Sequence, residues 1–100
     1  MGAEAFTHIS HTESGKVDDA FRAAQDQARY DHGHSGYTGT IAEKGEWTIV
    51  QGSKLALDKA IGLAEKLLDE DDPRVTDKWG PAGAIPIDDG GWLFFGWASC

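Results

Sequence analysis

The sequence predicts an α+β fold, with one strand followed by two helix-strand-strand units that form a five-stranded, mainly antiparallel sheet with both helices on one face. Two segments carry apolar residues at helical spacing, and a glycine-rich turn follows each of them. The six residues 36–41 (GYTGTI) are echoed by 80–85 (GPAGAI), and a tryptophan follows each copy, at Trp47 and Trp92. We therefore expect an internal αββ pseudo-repeat.

The first half is predicted to hold one strand, one helix and then two more strands. Residues 5–11 form the first strand, and Ser14 caps a helix that Gly33 ends. Residues 37–44 and 46–51 then form two strands joined tightly at Gly45. The helix has one apolar stripe, which consists of Val17, Ala20, Phe21, Ala24 and Ala28.

The second half is predicted to repeat this order. Ser53 caps a helix with an apolar face over 57–68, and Pro73 prevents it from continuing. The acidic run 69–72 beyond it is interpreted as a solvated loop, with a contact for a basic partner or a weak divalent-cation site as the alternatives. Residues 88–91 (DDGG) favour a hairpin turn, which would join strands at 84–88 and 92–98.

The last strand is apolar at both parities over 92–97 (WLFFGW), so its side chains point to both faces of the sheet. Helices on one face would leave the other face open. We therefore expect that face to meet a second copy of the chain or a ligand, most simply in a dimer, with coverage by loops as the alternative.

Composition narrows the function classes. The 100 residues predict a single domain, and the net charge of -8 disfavours a broad nucleic-acid footprint or binding to an anionic membrane. Neither a signal peptide nor a membrane span is recognisable. Cys100 is the single cysteine, so no intrachain disulfide is expected, and we expect a cytoplasmic location.

The densest candidate site is the polar, glycine-rich run 31–40. Its glycines let the backbone approach a ligand closely, and its hydroxyls suit phosphate or sugar oxygens. A purely structural turn is the alternative, and the spacing is not that of a Walker or dinucleotide-binding loop. Trp79, beside the second glycine-rich turn, is added as a stacking residue. The candidate ligand-binding residues are His32, His34, Ser35, Gly36, Tyr37, Thr38, Gly39, Thr40 and Trp79.

Metal binding and catalysis are the less favoured interpretations. The one reachable metal set is His8, Asp31, His32 and His34, for which turn-capping or surface roles are the simpler explanation, so no metal or cofactor is expected. The segments 8–10 (HIS) and 34–35 (HS) are faintly similar to the paired His-x-Ser/Thr elements of two-histidine phosphodiesterases, but the second element is incomplete. No residue is visibly paired with a histidine as nucleophile. Whether the chain is an enzyme is therefore left open, and a non-enzymatic protein is favoured.

The run 30–44 (YDHGHSGYTGTIAEK), with the alanine-rich helix before it and more loosely 78–83, resembles a group of small proteins carried by bacteriophages and by prophage-bearing bacteria. No activity is assigned to that group, so the resemblance carries over no catalytic residue. It implies that the protein binds and neutralises a host component.

These observations lead to one functional expectation with two alternatives. The chain is expected to be a non-enzymatic binding protein that sequesters a nucleotide-derived host signal. A locally positive pocket would need donors from among Arg29, Lys44, Arg74 and Lys78. The alternatives are an inhibitor that binds a host protein through its aromatic sheet face or acidic run, and a small histidine-dependent phosphoesterase.

Overall fold

The computed structural model describes residues 2–32 and 38–99, with His32 described by its backbone alone. The chain is an α+β fold with a four-stranded sheet and two helices in this part. The elements are β1 (Ala3–Ser10), α1 (Val17–His32), a short 3-10 helix (Ile41–Glu43), β2 (Trp47–Ile49), α2 (Leu57–Asp69), β3 (Ala82–Pro86) and β4 (Trp92–Ser99).

The sheet has the strand order β1-β4-β3-β2. β4 pairs antiparallel with β1 on one side and with β3 on the other, while β2 runs parallel to β3. The predicted turn at 88–91 is confirmed: Gly90 has a φ of 96° and donates its N–H to the carbonyl of Ile87 at 3.0 Å. Only glycine adopts that backbone conformation at low cost, which is why the sequence signal was reliable here.

The two helices pack on opposite faces of the sheet, whereas we expected both on one face. Phe94 lies in the cluster beneath α1 and Phe95 in the cluster beneath α2, and neither side chain is exposed. The α1 cluster consists of Ala20, Phe21, Ala24, Ala28, Ile41, Ala82, Ala84 and Phe94. The α2 cluster consists of Ala60, Ala64, Leu67, Leu68, Val75, Ile85, Ile87, Leu93 and Phe95. The second face of β4 is therefore covered by the chain's own α2 rather than by a partner.

The expected strand at 37–44 is wrong for the part that the structure describes. Residues 41–43 form a 3-10 helix, and Thr40 caps it by accepting the N–H of Ala42 at 3.3 Å. This local side-chain bond competes with sheet pairing, as threonine hydroxyls commonly do. The described residues thus hold four strands instead of five. Because Ile41 lies in a helix and Ile85 in a central strand, the pseudo-repeat is not confirmed.

The strand near 46–51 exists, as β2, but it is not part of a hairpin. Its neighbour in the sheet is β3, and α2 lies between them in sequence. A parallel pair needs such a crossover, and here it supplies the helix that covers one face. No helix within the described residues has the length and apolar character that crossing a membrane requires.

Both helices begin later than predicted. Ser14 accepts the N–H of Lys16 and donates to the carboxylate of Asp19, so it braces the turn before α1 rather than capping the helix. Ser53 does not cap α2, whose N-cap is Ala56 without a side-chain hydrogen bond. The chain is still extended at Leu55, which bridges to Ile87 beside β3 and so delays the helix.

Candidate functional site

Four of the nine predicted site residues can be examined with their side chains: Thr38, Gly39, Thr40 and Trp79. His34, Ser35, Gly36 and Tyr37 lie outside the described residues, as does Gly33, the predicted end of α1. His32 is the last residue of α1. The geometry of the candidate site can therefore be described for 38–40, for Trp79 and for the elements that contact them.

The hydroxyls of Thr38 and Thr40 are used within the loop itself. Glu43 accepts hydrogen bonds from both the backbone N–H and the hydroxyl of Thr38, at 3.1 and 2.9 Å. The two threonine oxygens are 2.7 Å apart, and because Thr38 donates to Glu43, the hydrogen between them comes from Thr40. The loop is thus braced by a carboxylate, an unfavourable neighbour for phosphate.

Gly39 attaches this loop to the end of β4. Its φ is 69°, in the left-handed region that favours glycine, and its N–H donates to the carbonyl of Ser99 at 2.7 Å. Gly39 is buried, so its role here is structural. Ser99 is also buried, and its hydroxyl has no hydrogen-bond partner among the described residues.

Lys44 joins the first loop to the loop that carries Trp79. Its side chain is buried, and its ammonium donates to the carbonyls of Asp77, Lys78 and Gly80 at 3.2, 3.2 and 3.1 Å. Burial lowers the pKa of Lys44, and the carboxylate of Asp77 acts in the opposite direction. Since three carbonyls occupy its three donors, Lys44 is not free to bind a ligand and instead positions the loop.

Trp79 stands at the tip of that loop. Asp77 accepts the N–H of Trp79 on its side chain and the N–H of Gly80 on its carbonyl, both at 2.9 Å, which fixes a tight turn. Trp79 as a residue is 58% exposed. The ammonium of Lys78 lies 5.5 Å from the centroid of its ring, within cation-π range.

The other expected cationic donors lie elsewhere. Arg29 pairs with Asp26 on the surface of α1, and Arg74 pairs with Asp72 after α2. Hydrogen bonds from the side chain and from the backbone N–H of Arg74 lower the pKa of the Asp72 carboxyl. Of the four cations considered from sequence, Lys78 is the one placed beside the ring of Trp79.

The described histidines are separated. His8 is half-buried on β1, and burial lowers its pKa while the carboxylate of Asp31 acts to raise it. His11 instead bonds Asp89 through Nε2 at 2.9 Å. No group of three or more His, Cys, Asp or Glu side chains within 2–32 and 38–99 could hold a metal ion.

Sequence reasoning missed the role of Lys44, because a lysine at the end of a predicted strand, beside the turn at Gly45, suggests a solvated surface residue. The predicted hairpin at Gly45 would place Glu43 and Lys44 at an exposed end, where a cross-strand pair is expected. Neither residue lies in a strand, and each bonds into a different loop, so that expectation is wrong. Comparison of the chain with known protein families, with curated proteins and with solved structures finds no match.

Proposed function

We propose that this chain is a non-enzymatic binding protein that holds a planar, anionic small molecule, such as a nucleotide, against Trp79 and Lys78. The observation that carries the proposal is a largely exposed indole, set on a turn that a buried lysine anchors, with an ammonium over its ring. The proposed binding site would lie at the end of the sheet where 38–44 and 77–80 meet.

The chemistry of this tip suits a ring that carries a phosphate. An indole face stacks on a base, a contact worth about 1 to 3 kcal/mol by alanine substitution. The Lys78 ammonium can bond a phosphate oxygen with charge assistance. In a chain of net charge -8, a local cation is needed before an anion will approach.

The anchoring of the loop favours binding because the tip is fixed in advance. Asp77 and Lys44 already hold the backbone of 77–80, so little ordering is required when a ligand docks. Thr38, Gly39 and Thr40 act as supports for this arrangement. Ligand contacts from His32, His34, Ser35, Gly36 and Tyr37 stay a prediction from sequence.

The resemblance to phage proteins suggests the biological setting of this proposal. A nucleotide-derived host signal, sequestered in the cytoplasm of an infected bacterium, has the ring and the phosphate that the tip would recognise. The host-protein alternative loses its aromatic interface, since Phe94 and Phe95 are buried between the sheet and the helices. An interface through the acidic run is still a prediction.

The test is calorimetric titration of the purified chain with a panel of linear and cyclic nucleotides, using Trp79→Ala and a matched control, Tyr30→Ala. Tyr30 is 88% exposed on α1, so the control also removes a surface aromatic. For a nucleotide that binds, we expect Trp79→Ala to weaken affinity about 5- to 150-fold, as loss of one stacking contact predicts, and Tyr30→Ala to leave it unchanged.

Two results would contradict the proposal. The first is unaltered affinity in Trp79→Ala, which would place any ligand elsewhere. The second is accumulation of a converted nucleotide beyond one equivalent per chain during the incubation, which would favour the phosphoesterase interpretation instead. Recovery of the nucleotide intact after heat release supports sequestration.

A further inference from the structure

The edge strand β1 turns alternate backbone groups outward. Ala84 and Pro86 direct their carbonyls away from β4, to the N–H groups of Val50 and Leu55. Backbone groups of successive strand residues point to opposite sides, so Gly83 and Ile85 of β3 form their hydrogen bonds with β4, to Phe95 and Leu93.

The other residues of β4 therefore form their backbone hydrogen bonds with β1. These are Trp92, Phe94, Gly96 and Ala98, and their partners are Ser10, His8, Phe6 and Glu4. The remaining N–H and C=O groups of β1 point outward, and they belong to Ala3, Ala5, Thr7 and Ile9.

Within the described residues, this edge lacks most of the features that usually protect a strand from pairing, and Glu4 is the one acidic or basic residue of β1 other than histidine. β1 is eight residues long, keeps an unbroken register with β4 and contains neither proline nor lysine. Among the described residues no strand lies beyond it in the sheet. Ile9 is 40% exposed, and Ala3, Ala5 and Thr7 are also exposed on the same face.

We propose that β1 pairs with β1 of a second copy, antiparallel about a two-fold axis at Phe6, so that two sheets join into one. In this register Ala5 meets Thr7 and Ala3 meets Ile9 of the second copy. These are the residues with outward backbone groups, so every such group within the paired segment gains a partner. The register also pairs small side chains with larger ones on the α2 face.

Hydrogen-bonding complementarity between Glu4 and His8 favours this register. With the axis at Phe6, Glu4 lies opposite His8 of the second copy, twice by symmetry, on the α1 face. This is a non-hydrogen-bonded pair, in which Cα atoms approach to about 4.5 Å and side chains are closest. An imidazole N–H can donate to a carboxylate in either protonation state. An axis at Thr7 would instead place His8 opposite Phe6 and leave Glu4 opposite Ser10.

The proposal differs in its basis from the oligomer expected from sequence. That expectation required an open face of β4, and α2 covers it. The edge of β1 needs no open face, because it offers backbone groups rather than apolar side chains. It is also independent of the Trp79 tip, so loss of either property in a variant leaves the other measurable.

The first test is analytical ultracentrifugation of the whole chain with Thr7→Pro and the isosteric control Thr7→Val. Proline removes an N–H that makes no bond inside the protomer, so the fold should persist by circular dichroism. We expect wild type and Thr7→Val at twice 10.8 kDa at tens of micromolar, and Thr7→Pro at 10.8 kDa. A monomeric wild type, or a dimer that a folded Thr7→Pro retains, would overturn the proposal.

The second test fixes the register and does not depend on Thr7→Pro folding. In a Cys100→Ser background, the pair Glu4→Cys and His8→Cys should form disulfide-linked dimers under mild oxidation, because a non-hydrogen-bonded pair has suitable geometry. The control pair Glu4→Cys and Ile9→Cys places the thiols on opposite faces, and it should stay monomeric on a non-reducing gel. Equal cross-linking in both, or none in either, would reject the register.

Discussion

Lys44 is the residue on which the geometry of the Trp79 loop depends most. Three backbone carbonyls approach its buried ammonium, and they come from a segment more than thirty positions away in sequence. Removing the ammonium leaves these carbonyls without their donor, which costs about 1 to 3 kcal/mol for a buried group. Lys44 therefore links the stability of the fold to the placement of the proposed binding tip.

We expect Lys44→Met to lower the free energy of unfolding by about 1 to 3 kcal/mol, because methionine keeps the side chain's length but donates no hydrogen bond. Urea denaturation followed by fluorescence measures it. Lys59→Met is the matched control, since Lys59 is exposed on α2 and should change stability by about 0.5 kcal/mol or less. Equal denaturation midpoints for the two variants would show that the three contacts are not stabilising.

Little of this residue-level detail could be predicted from the sequence. A tryptophan beside a glycine-rich turn is conspicuous in a sequence, and Trp79 is exposed in the structure, but its stacking role stays a prediction. The sequence predicts that the hydroxyls of Thr38 and Thr40 bind a ligand, but the hydroxyl of Thr38 donates its hydrogen bond to Glu43 instead. Which donor meets which acceptor depends on loop geometry, which composition does not determine.

The hairpin between β3 and β4 is an element whose position was predictable and whose packing was not. Gly83 in β3 has no room for a side chain, because a Cβ there would overlap the ring of Phe95 and lie 2.9 Å from Cγ1 of Val75. The sequence marks Gly83 as part of a turn, whereas it lies in a central strand pressed against the α2 cluster. A strand glycine of this kind marks close packing.

Two glycine-to-alanine substitutions test this at the element scale. Gly83→Ala should destabilise the protein by about 1 to 3 kcal/mol through overpacking. Gly62→Ala, on the exposed side of α2 with no atom within 4 Å of the added carbon, should stabilise it by about 1 kcal/mol through helix propensity. Thermal melts of both variants measure the contrast. A neutral Gly83→Ala would show that Phe95 can move away.

The same hairpin carries a pH-dependent contact. The hydrogen bond from His11, and then that from Gly91, lowers the pKa of Asp89 below its ordinary value of 3.8. A depressed carboxyl pKa stabilises the fold above the unfolded value, and that contribution disappears as pH falls through the folded one. Asp89→Asn should thus be less stable than wild type at pH 5, and the difference should be smaller at pH 2.5.

Asp88→Asn is the control for that prediction, because Asp88 is adjacent and exposed. Its difference from wild type should not change between the two pH values. Denaturant titrations at pH 5 and pH 2.5 give the comparison. A stability gap for Asp89→Asn that persists unchanged at pH 2.5 would mean that the carboxylate's charge is not what secures the turn.

The sequence of β4 correctly indicates that both faces of the strand are covered, although we expected a partner or a ligand on the second face. Its apolar residues at both parities required cover on two faces, and two faces are covered. The sequence could not show that α2 provides the second cover, because this depends on β2 and β3 being parallel and joined by a crossover. With 37–44 assigned to a strand, 46–51 is expected to pair with it in a local hairpin and no crossover is needed. Both helices are then expected on the same face of the sheet.

Charge is the property of the whole molecule that gives the last prediction. The sequence has 17 acidic and 9 basic residues, and the three ion pairs among the described residues are all at least partly exposed, so solvent screens them and each stabilises the fold only weakly. The molecule measures 35 × 31 × 19 Å. At 10 mM salt the screening length is about 30 Å, so carboxylates repel one another across the whole molecule, whereas at 150 mM it is about 8 Å.

We therefore expect the melting temperature at pH 7 to rise when sodium chloride is increased from about 10 to 150 mM, because screening weakens the repulsion more than it weakens three exposed pairs. Near pH 4.7, where the net charge approaches zero, the same increase should have little effect. Scanning calorimetry at the two pH values makes the comparison. A melting temperature that falls with salt at pH 7 would mean that attractive pairs, and not the excess of carboxylates, dominate the electrostatics of the fold.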